Sequence, residues 1–390
     1  MLWSAILTGL AAFVSVTNAV TVFTAPAFYK KPGVSYARAI VLDDGTFLVT
    51  SENYAGEPPY MSIFASTNGG RDWQERSRVE DTTPDKWGLR YHPTLIQIPV
   101  ALGPYPAGSI VFSGTAVPTD GSRTKLHVFV SKDKAKSGTW EYVSTIAEGG
   151  VAQEQNTASP VWHPFFFFYN GKLLCYFSDS RDPAHGSKIV FSDTGDLKSW
   201  SDPVRQVAYD DKELRPTIAT VTQIGDKPGT NGGPSINQYL MTYEYGGARE
   251  TPFAVYYKIS EDPRNFDPAP GTVLRGPKGE VPSGAPYAAF VGGGVSPTDG
   301  TIIISSSNEY DLYVNRKADA SGPWETLYSE APKAYARCVV PLNAEQILVV
   351  GAGPLDPGNF GELNSIIANV VDLKPKTPGG KTKSVKRWIA

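Results

Sequence analysis

The chain has 390 residues, and its 36 Lys or Arg against 39 Asp or Glu leave a net charge of -3 with no basic half, which argues against a nucleic-acid partner. Gly (38) and Pro (32) are abundant, Met (3) is nearly absent, and apolar residues come in short runs between turns. That is an all-β composition with enough chain for a large core, and no segment reaches the ~18 apolar residues a membrane span needs.

Taken in order, residues 1–19 read as a secretory signal, with an apolar run at 2–16 and small residues at Thr17 and Ala19 where cleavage would fall. A secreted protein is therefore expected. Residues 36–51, YARAIVLDDGTFLVTS, spell a strand, an Asp-Asp-Gly turn and a second strand, and the same unit restarts at Arg90, Val161, near Leu214, near Tyr287 and near Tyr335. Six such units about 60 residues apart, each with room for four short strands, predict a six-bladed β-propeller over 20–373. Such a propeller is self-sufficient, and a monomer is expected. Residues 374–390 carry six Lys or Arg and read as a disordered basic tail.

Three turn motifs support the repeat. Residues 66–73, STNGGRDW, match an Asp-box, S-x-D-x-G-x-T-W, with Asn68 in the Asp place. Ser131 to Asp133 with Trp140, and Ser192-Asp193 with Trp200, read as looser copies. The Asx side chain of such a box ties nearby backbone while the Trp packs beneath, so these are structural. Cys175 and Cys338, each inside an apolar run, read as buried thiols, and no Asn-x-Ser/Thr acceptor occurs.

Two strands carry an ionisable residue in apolar company: His163 in SPVWHPFFFFYNGKLLCYFSDSRD (159–182) and Glu244 in LMTYEYGG (240–247). Such a group is costly unless it is paired or used. The plain readings are a hydrogen-bonded core histidine and a structural ion pair of Glu244 with Arg215 or Arg249. Trp162, Phe165 to Phe168, Tyr169, Tyr243, Tyr245 and Tyr287 are expected to line or back a concave site, because alternate positions of an inner strand are expected to face the channel. Arg38, Arg90, Arg215 and Arg337 each stand near a blade's first strand and are candidates for an anion-binding cluster. That cluster also fits a sialidase, though no Tyr–Glu nucleophile pair stands out.

The order of VWHPFFFFYNGKLLCYFSDSRDPAHG, LRPTIATV, YLMTYEYGG and FAVYYKISEDPRNFDPAPG resembles the fungal exo-1,5-α-L-arabinanases of glycoside hydrolase family 93, over about residues 22–373. The resemblance implies retaining glycosidase chemistry by two glutamates. One falls on Glu244; the other belongs in a W-E-P segment, where this chain has Trp162-His163-Pro164. A retaining pair needs carboxyls about 5–5.5 Å apart, and loss of acid–base catalysis costs about 10²–10⁴-fold. An imidazolium beside Glu244 would pair with the nucleophile, and Glu154 is the nearest substitute acid in sequence. Three readings remain: an arabinanase with His163 as acid/base, a sugar binder without turnover, and a non-hydrolytic pocket enzyme without cofactor or metal. The last follows a further resemblance, to propellers that join a polyketide quinone methide to a terpene by a hetero-Diels–Alder step. There His163 would polarise a carbonyl and Glu244 act as base. The substitution at 163 makes this third reading the expectation, with a small molecule as substrate, an apolar polyketide or terpenoid or else an arabinan oligosaccharide, and no nucleic acid or membrane as partner.

Overall fold

The structure is a computed structural model that describes residues 19–153, 158–227, 236–292, 300–356 and 362–374. The expected leader and tail lie outside the described residues but for Ala19 and Lys374, and so does Glu154.

The unit is built as its sequence suggests. After β1 (Val20–Thr24), strand β2 (Val34–Val41) reverses through Asp43-Asp44-Gly45 into β3 (Phe47–Asn53). Gly45 takes φ 79°, while Asp44 Oδ1 accepts the Thr46 N–H at 3.1 Å. Only a residue without Cβ takes that conformation cheaply, so the turn fixes the pairing Val41↔Phe47. Strands β4 (Met61–Ser66) and β5 (Gln74–Val79) complete the first blade.

Five more four-stranded antiparallel blades follow. The second holds β6 (Leu89–Gln97), β7 (Ile110–Ala116), β8 (Thr124–Ser131) and β9 (Glu141–Gly149). The third holds β10 (Val161–Tyr169), β11 (Lys172–Asp179), β12 (Lys188–Thr194) and β13 (Val204–Val207). The fourth holds β14 (Arg215–Lys227), β15 (Ile236–Gly246), β16 (Ala254–Ser260) and β17 (Thr272–Val273). The fifth holds β18 (Tyr287–Gly292), β19 (Gly300–Ser305), β20 (Asp311–Asn315) and β21 (Glu325–Tyr328). In the sixth, β22 (Cys338–Pro341), β23 (Gln346–Gly351) and β24 (Ser365–Asp372) are joined by β1 as the outermost strand, Val20 opposite Ala368. The N-terminal strand thus closes the ring, which the sequence pattern does not reveal. No helix occurs among the described residues.

Burial follows blade geometry. Every residue of β3, β4 and β7 is buried, while outer strands such as β5 alternate towards solvent, because each blade's two faces pack on its two neighbours. Six large apolar clusters fill the six junctions: Leu48 and Ile63 meet Phe112 and Trp140 between the first two blades, and Val49 and Phe64 meet Leu348 and Val350 where the sixth meets the first. Truncating a junction aromatic such as Phe112 to Ala costs about 3–5 kcal/mol. Cys175 and Cys338 are buried free thiols, in agreement with the sequence reading.

Two Asp-boxes have the expected register and one does not. Asn68 Oδ1 accepts the N–H groups of Arg71 and Asp72, and Trp73 Nε1 donates to Gly70 O. Asp133 holds Lys136 and Ser137 in the same way. In the third, the working pair is Thr194 and Asp196 rather than Ser192 and Asp193: Asp196 Oδ1 accepts from Lys198 and Ser199, while Asp193 pairs with Lys172. The box needs a hydroxyl two residues before the Asx, and Thr194-Gly195-Asp196 supplies it.

Candidate active site at the propeller mouth

The first strands converge on the axis, and each blade places one non-glycine residue there in the left-handed region: Tyr36 (φ 49°), His92 (54°), His163 (55°), Ile218 (53°), Ala285 (25°) and Ala336 (53°). Each such residue stores roughly 1–3 kcal/mol of strain, so the surrounding bonds must hold it. They do so in a repeating way. The residue just before the left-handed one pairs with the second strand: Ser35↔Glu52, Tyr91↔Thr115, Trp162↔Ser178 and Thr217↔Glu244. The second-strand side chain then reaches the next blade. Glu52 Oε1 accepts the His92 N–H at 3.0 Å, Ser178 Oγ that of Ile218 at 3.3 Å, and Glu244 Oε2 that of Ala285 at 2.7 Å.

Glu52 and Glu244 therefore occupy one structural position in the first and fourth blades. Each also takes one hydroxyl, from Tyr54 at 3.1 Å and from Thr217 at 2.8 Å. Both are buried, at 2% and 7% exposure. For Glu52, burial outweighs the His92 N–H, the Tyr54 hydroxyl and the Arg38 charge, and lifts the carboxyl to about 7. It is half-protonated near neutrality.

His163 is 3% exposed and is pushed down to about 3, by burial first and then by the Arg38 and Arg215 charges. The imidazolium–Glu244 pair anticipated from sequence does not form at neutral pH. Nδ1 lies 3.0 Å from Ser178 Oγ. Ser178 Oγ also accepts the Ile218 N–H, and with a second lone pair and its own proton it pairs with Nδ1 in either tautomer of the ring. Nε2 has no partner among the described residues. His92 is likewise held well below its usual range, chiefly by burial, and its ring centroid lies 4.0 Å from that of His163. Tyr36 stacks on His163 at 6.0 Å, and burial keeps its phenol protonated.

The walls differ from expectation. Phe165 and Phe167 pack between the third and fourth blades, while Phe166 and Phe168 pack between the second and third. Tyr169 and Tyr245 join the former junction, as does Tyr243, which is 0% exposed with its hydroxyl 2.9 Å from that of Tyr209. The reason is that the faces of a blade look at neighbouring blades and only the edge of its first strand looks at the channel. On β15 the alternation that aims Glu244 one way aims Tyr243 and Tyr245 the other. Tyr287 and Phe165 do reach the channel, at its opposite end, in an apolar well of about 340 Å³ with Ile40, Ile96, Val221 and Phe290.

The four arginines are not brought together. Arg337 is 0% exposed and donates to the carbonyls of Tyr310, Asp311 and Pro332. Arg90 makes a two-pronged pair with Glu57 at 2.9 and 2.8 Å. Arg38 belongs to the hub, bonded to Ala37 O and Ala336 O and lying 4.1 Å over the Tyr36 ring. Arg215, first residue of β14, is felt electrostatically by His163.

The pocket at this mouth has a volume of about 190 Å³, walled by Glu52, Tyr54, Tyr91, His92, Trp162 and Tyr335. Trp162 was expected; the others were not. Trp162 Nε1 is buried without a partner among the described residues. Among the described residues no group of three or more His, Cys, Asp or Glu is placed to hold a metal ion.

Comparison with protein-family profiles and with curated protein sequences finds no match. Solved structures do match. The α-L-arabinofuranosidase of Fusarium graminearum with an iminosugar inhibitor superposes with a TM-score of 0.84 at 36% identity over 92% of this chain and 98% of that one. The GH93 α-L-arabinofuranosidase of the same organism with arabinobiose gives 0.83 at 37% identity over 91% and 97%. Penicillium chrysogenum α-L-arabinanase with arabinobiose gives 0.82 at 36% over 92% and 98%. Fold and mouth together define a propeller of glycoside hydrolase type. The chain belongs to the GH93 family of arabinofuranosidases and arabinanases.

Proposed function

We propose that this protein is an exo-acting glycoside hydrolase that removes a terminal arabinofuranosyl unit, with Glu244 as nucleophile. The observation that carries the reading is the size and lining of the mouth pocket. About 190 Å³ is smaller than the roughly 300–1,000 Å³ of drug-sized sites. It suits one pentose ring, which Tyr91 and Trp162 can stack on and to which Trp162 Nε1–H can donate. The ligand common to two relatives, arabinobiose, has such a ring at its end. Glu244 is held by the Thr217 hydroxyl and the Ala285 N–H, one on each oxygen, and so is oriented as an attacking carboxylate should be.

A non-hydrolytic reading, the joining of a quinone methide to a terpene, draws on one observation: His163 is a neutral imidazole, with no partner on Nε2 among the described residues, where the resemblance puts a carboxyl. The volume opposes it, because two apolar partners at once need a drug-sized cavity. Incubation with arabinobiose decides. Release of arabinose by the natural protein, abolished in Glu244→Gln, supports the hydrolase; intact arabinobiose at high enzyme concentration overturns it.

A further inference from the structure

Hydrolysis needs a proton for the departing sugar oxygen, and His163 does not supply it. Its ring is neutral, and a neutral imidazole N–H can donate a hydrogen bond but is far too weak an acid to give up its proton near pH 7. We infer that Glu52 is the acid/base partner of Glu244, facing it across the mouth from the opposite blade. The inference deepens the hydrolase reading and rests on it.

Three observations carry it. Glu52 and Glu244 share one register position in the first and fourth blades, and neighbouring first strands contact in the order β2, β6, β10, β14, β18, β22 and back to β2. Three steps around a closed ring of six is the opposite side. Glu52 lines the pocket, and its oxygens are tied by the same donor types as those of Glu244, a hydroxyl and the next blade's N–H. Tyr36 lies within the electrostatic reach of both glutamates. The groups facing Glu52 are Arg38, neutral His92 and the protonated phenols of Tyr36, Tyr54 and Tyr91. Burial prevails over Arg38, and the carboxyl keeps a proton to about 7, as a general acid requires.

The chemistry balances. The Glu244 carboxylate bonds to C1 of the arabinofuranosyl ring while the C1–O pair leaves on the glycosidic oxygen, which takes the Glu52 proton. Glu52, now ionised, takes a proton from water as the water oxygen bonds to C1 and the Glu244–C1 pair returns to Glu244. One water is consumed, and both carboxyls are restored.

The test compares natural protein, Glu52→Gln, Glu52→Asp and His163→Gln on arabinobiose and on 4-nitrophenyl α-L-arabinofuranoside, whose leaving group hardly needs a proton. Glu52→Gln is expected to lose about 10²–10⁴-fold on arabinobiose and much less on the nitrophenyl glycoside, with azide restoring turnover and the pH limb near 7 gone. Glu52→Asp should keep part of the arabinobiose rate. Unchanged arabinobiose turnover in Glu52→Gln, equal loss on both substrates, or the leaving-group signature appearing in His163→Gln would overturn the inference while leaving the hydrolase reading intact. Natural protein inert towards both substrates would overturn both.

Discussion

The first and fourth blades put a glutamate at the register position where the second and third put Thr115 and Ser178. Glu52, Ser178 and Glu244 each cap the left-handed residue of the next blade, so a hydroxyl suffices for that structural task. A carboxyl there is more expensive to bury, by about 1.4 kcal/mol for each unit its pKa is raised. Glu52, lifted to about 7, costs roughly 3 kcal/mol when ionised, an expense the capping does not require. On the roles proposed above, the hub is structural all round and chemical at two opposed places.

The comparison is broken most severely at the fourth blade. Glu244→Gln keeps the Thr217 hydroxyl and the Ala285 N–H within reach but removes the proposed nucleophile, and arabinobiose turnover should fall by roughly 10⁴-fold or more. A circular dichroism spectrum unchanged from that of the natural protein would accompany it.

Acid tests the hydroxyl blades, where the hub carries histidines. The unfolded chain binds a proton at residue 163 below about 6.5, whereas the folded one refuses it until about 3; native His163 binds fewer protons in that window, so stability is lost as pH falls through it. His92, held well below its usual range, and His127, down to about 4, act in the same direction. Glu52 runs the other way. The folded state keeps a proton that the unfolded state releases above about 4.5, so its contribution declines as pH rises towards 7. With three groups against one, urea midpoints should drop by several kcal/mol in equivalent stability between pH 6.5 and 4. In Glu52→Gln, stability at pH 8 should exceed that of the natural protein. A flat profile over this range would contradict the neutral hub.

Stripping each glutamate of its hydroxyl donor sharpens the contrast. Thr217→Val should lower turnover of both substrates about 10- to 100-fold, because a hydrogen bond to a charged oxygen is worth about 1.5–3 kcal/mol. Tyr54→Phe should instead move the alkaline limb of the pH–rate profile upward, since the Tyr54 hydroxyl holds the Glu52 carboxyl down. Equal effects from the two variants would show that the glutamates do not have separate roles. The smallest effect is expected at the rim: Asn68→Ala loosens an Asp-box by about 1–2 kcal/mol in a melting experiment and leaves arabinobiose turnover unchanged.

These regions also differ in how far they were legible. The six blades and two of the boxes are local patterns, a turn residue between two apolar runs, and a sequence displays them directly. β1 pairs with β24 some 345 residues away, and no local pattern records that closure. The aromatic run at 165–169 was misplaced because its alternation was referred to the channel rather than to the two neighbouring blades. Glu52 was missed because Ser51-Glu52-Asn53-Tyr54-Ala55-Gly56 reads as the end of a strand entering a turn. The signal was nonetheless present: a glutamate near the end of a blade's second strand, with a tyrosine and a glycine soon after, is also how Glu244 stands in Tyr243-Glu244-Tyr245-Gly246. The left-handed hub was not legible, since its six residues share no side-chain type and are held by bonds between blades.

The most direct measurement is a crystal structure of the Glu244→Gln protein with arabinobiose. The terminal ring should lie in the pocket of Tyr91 and Trp162, with C1 towards residue 244 and the glycosidic oxygen within about 3.2 Å of the Glu52 carboxyl. A glycosidic oxygen turned to His163 Nε2 with Glu52 out of reach, or a disaccharide bound away from this mouth, would contradict the account.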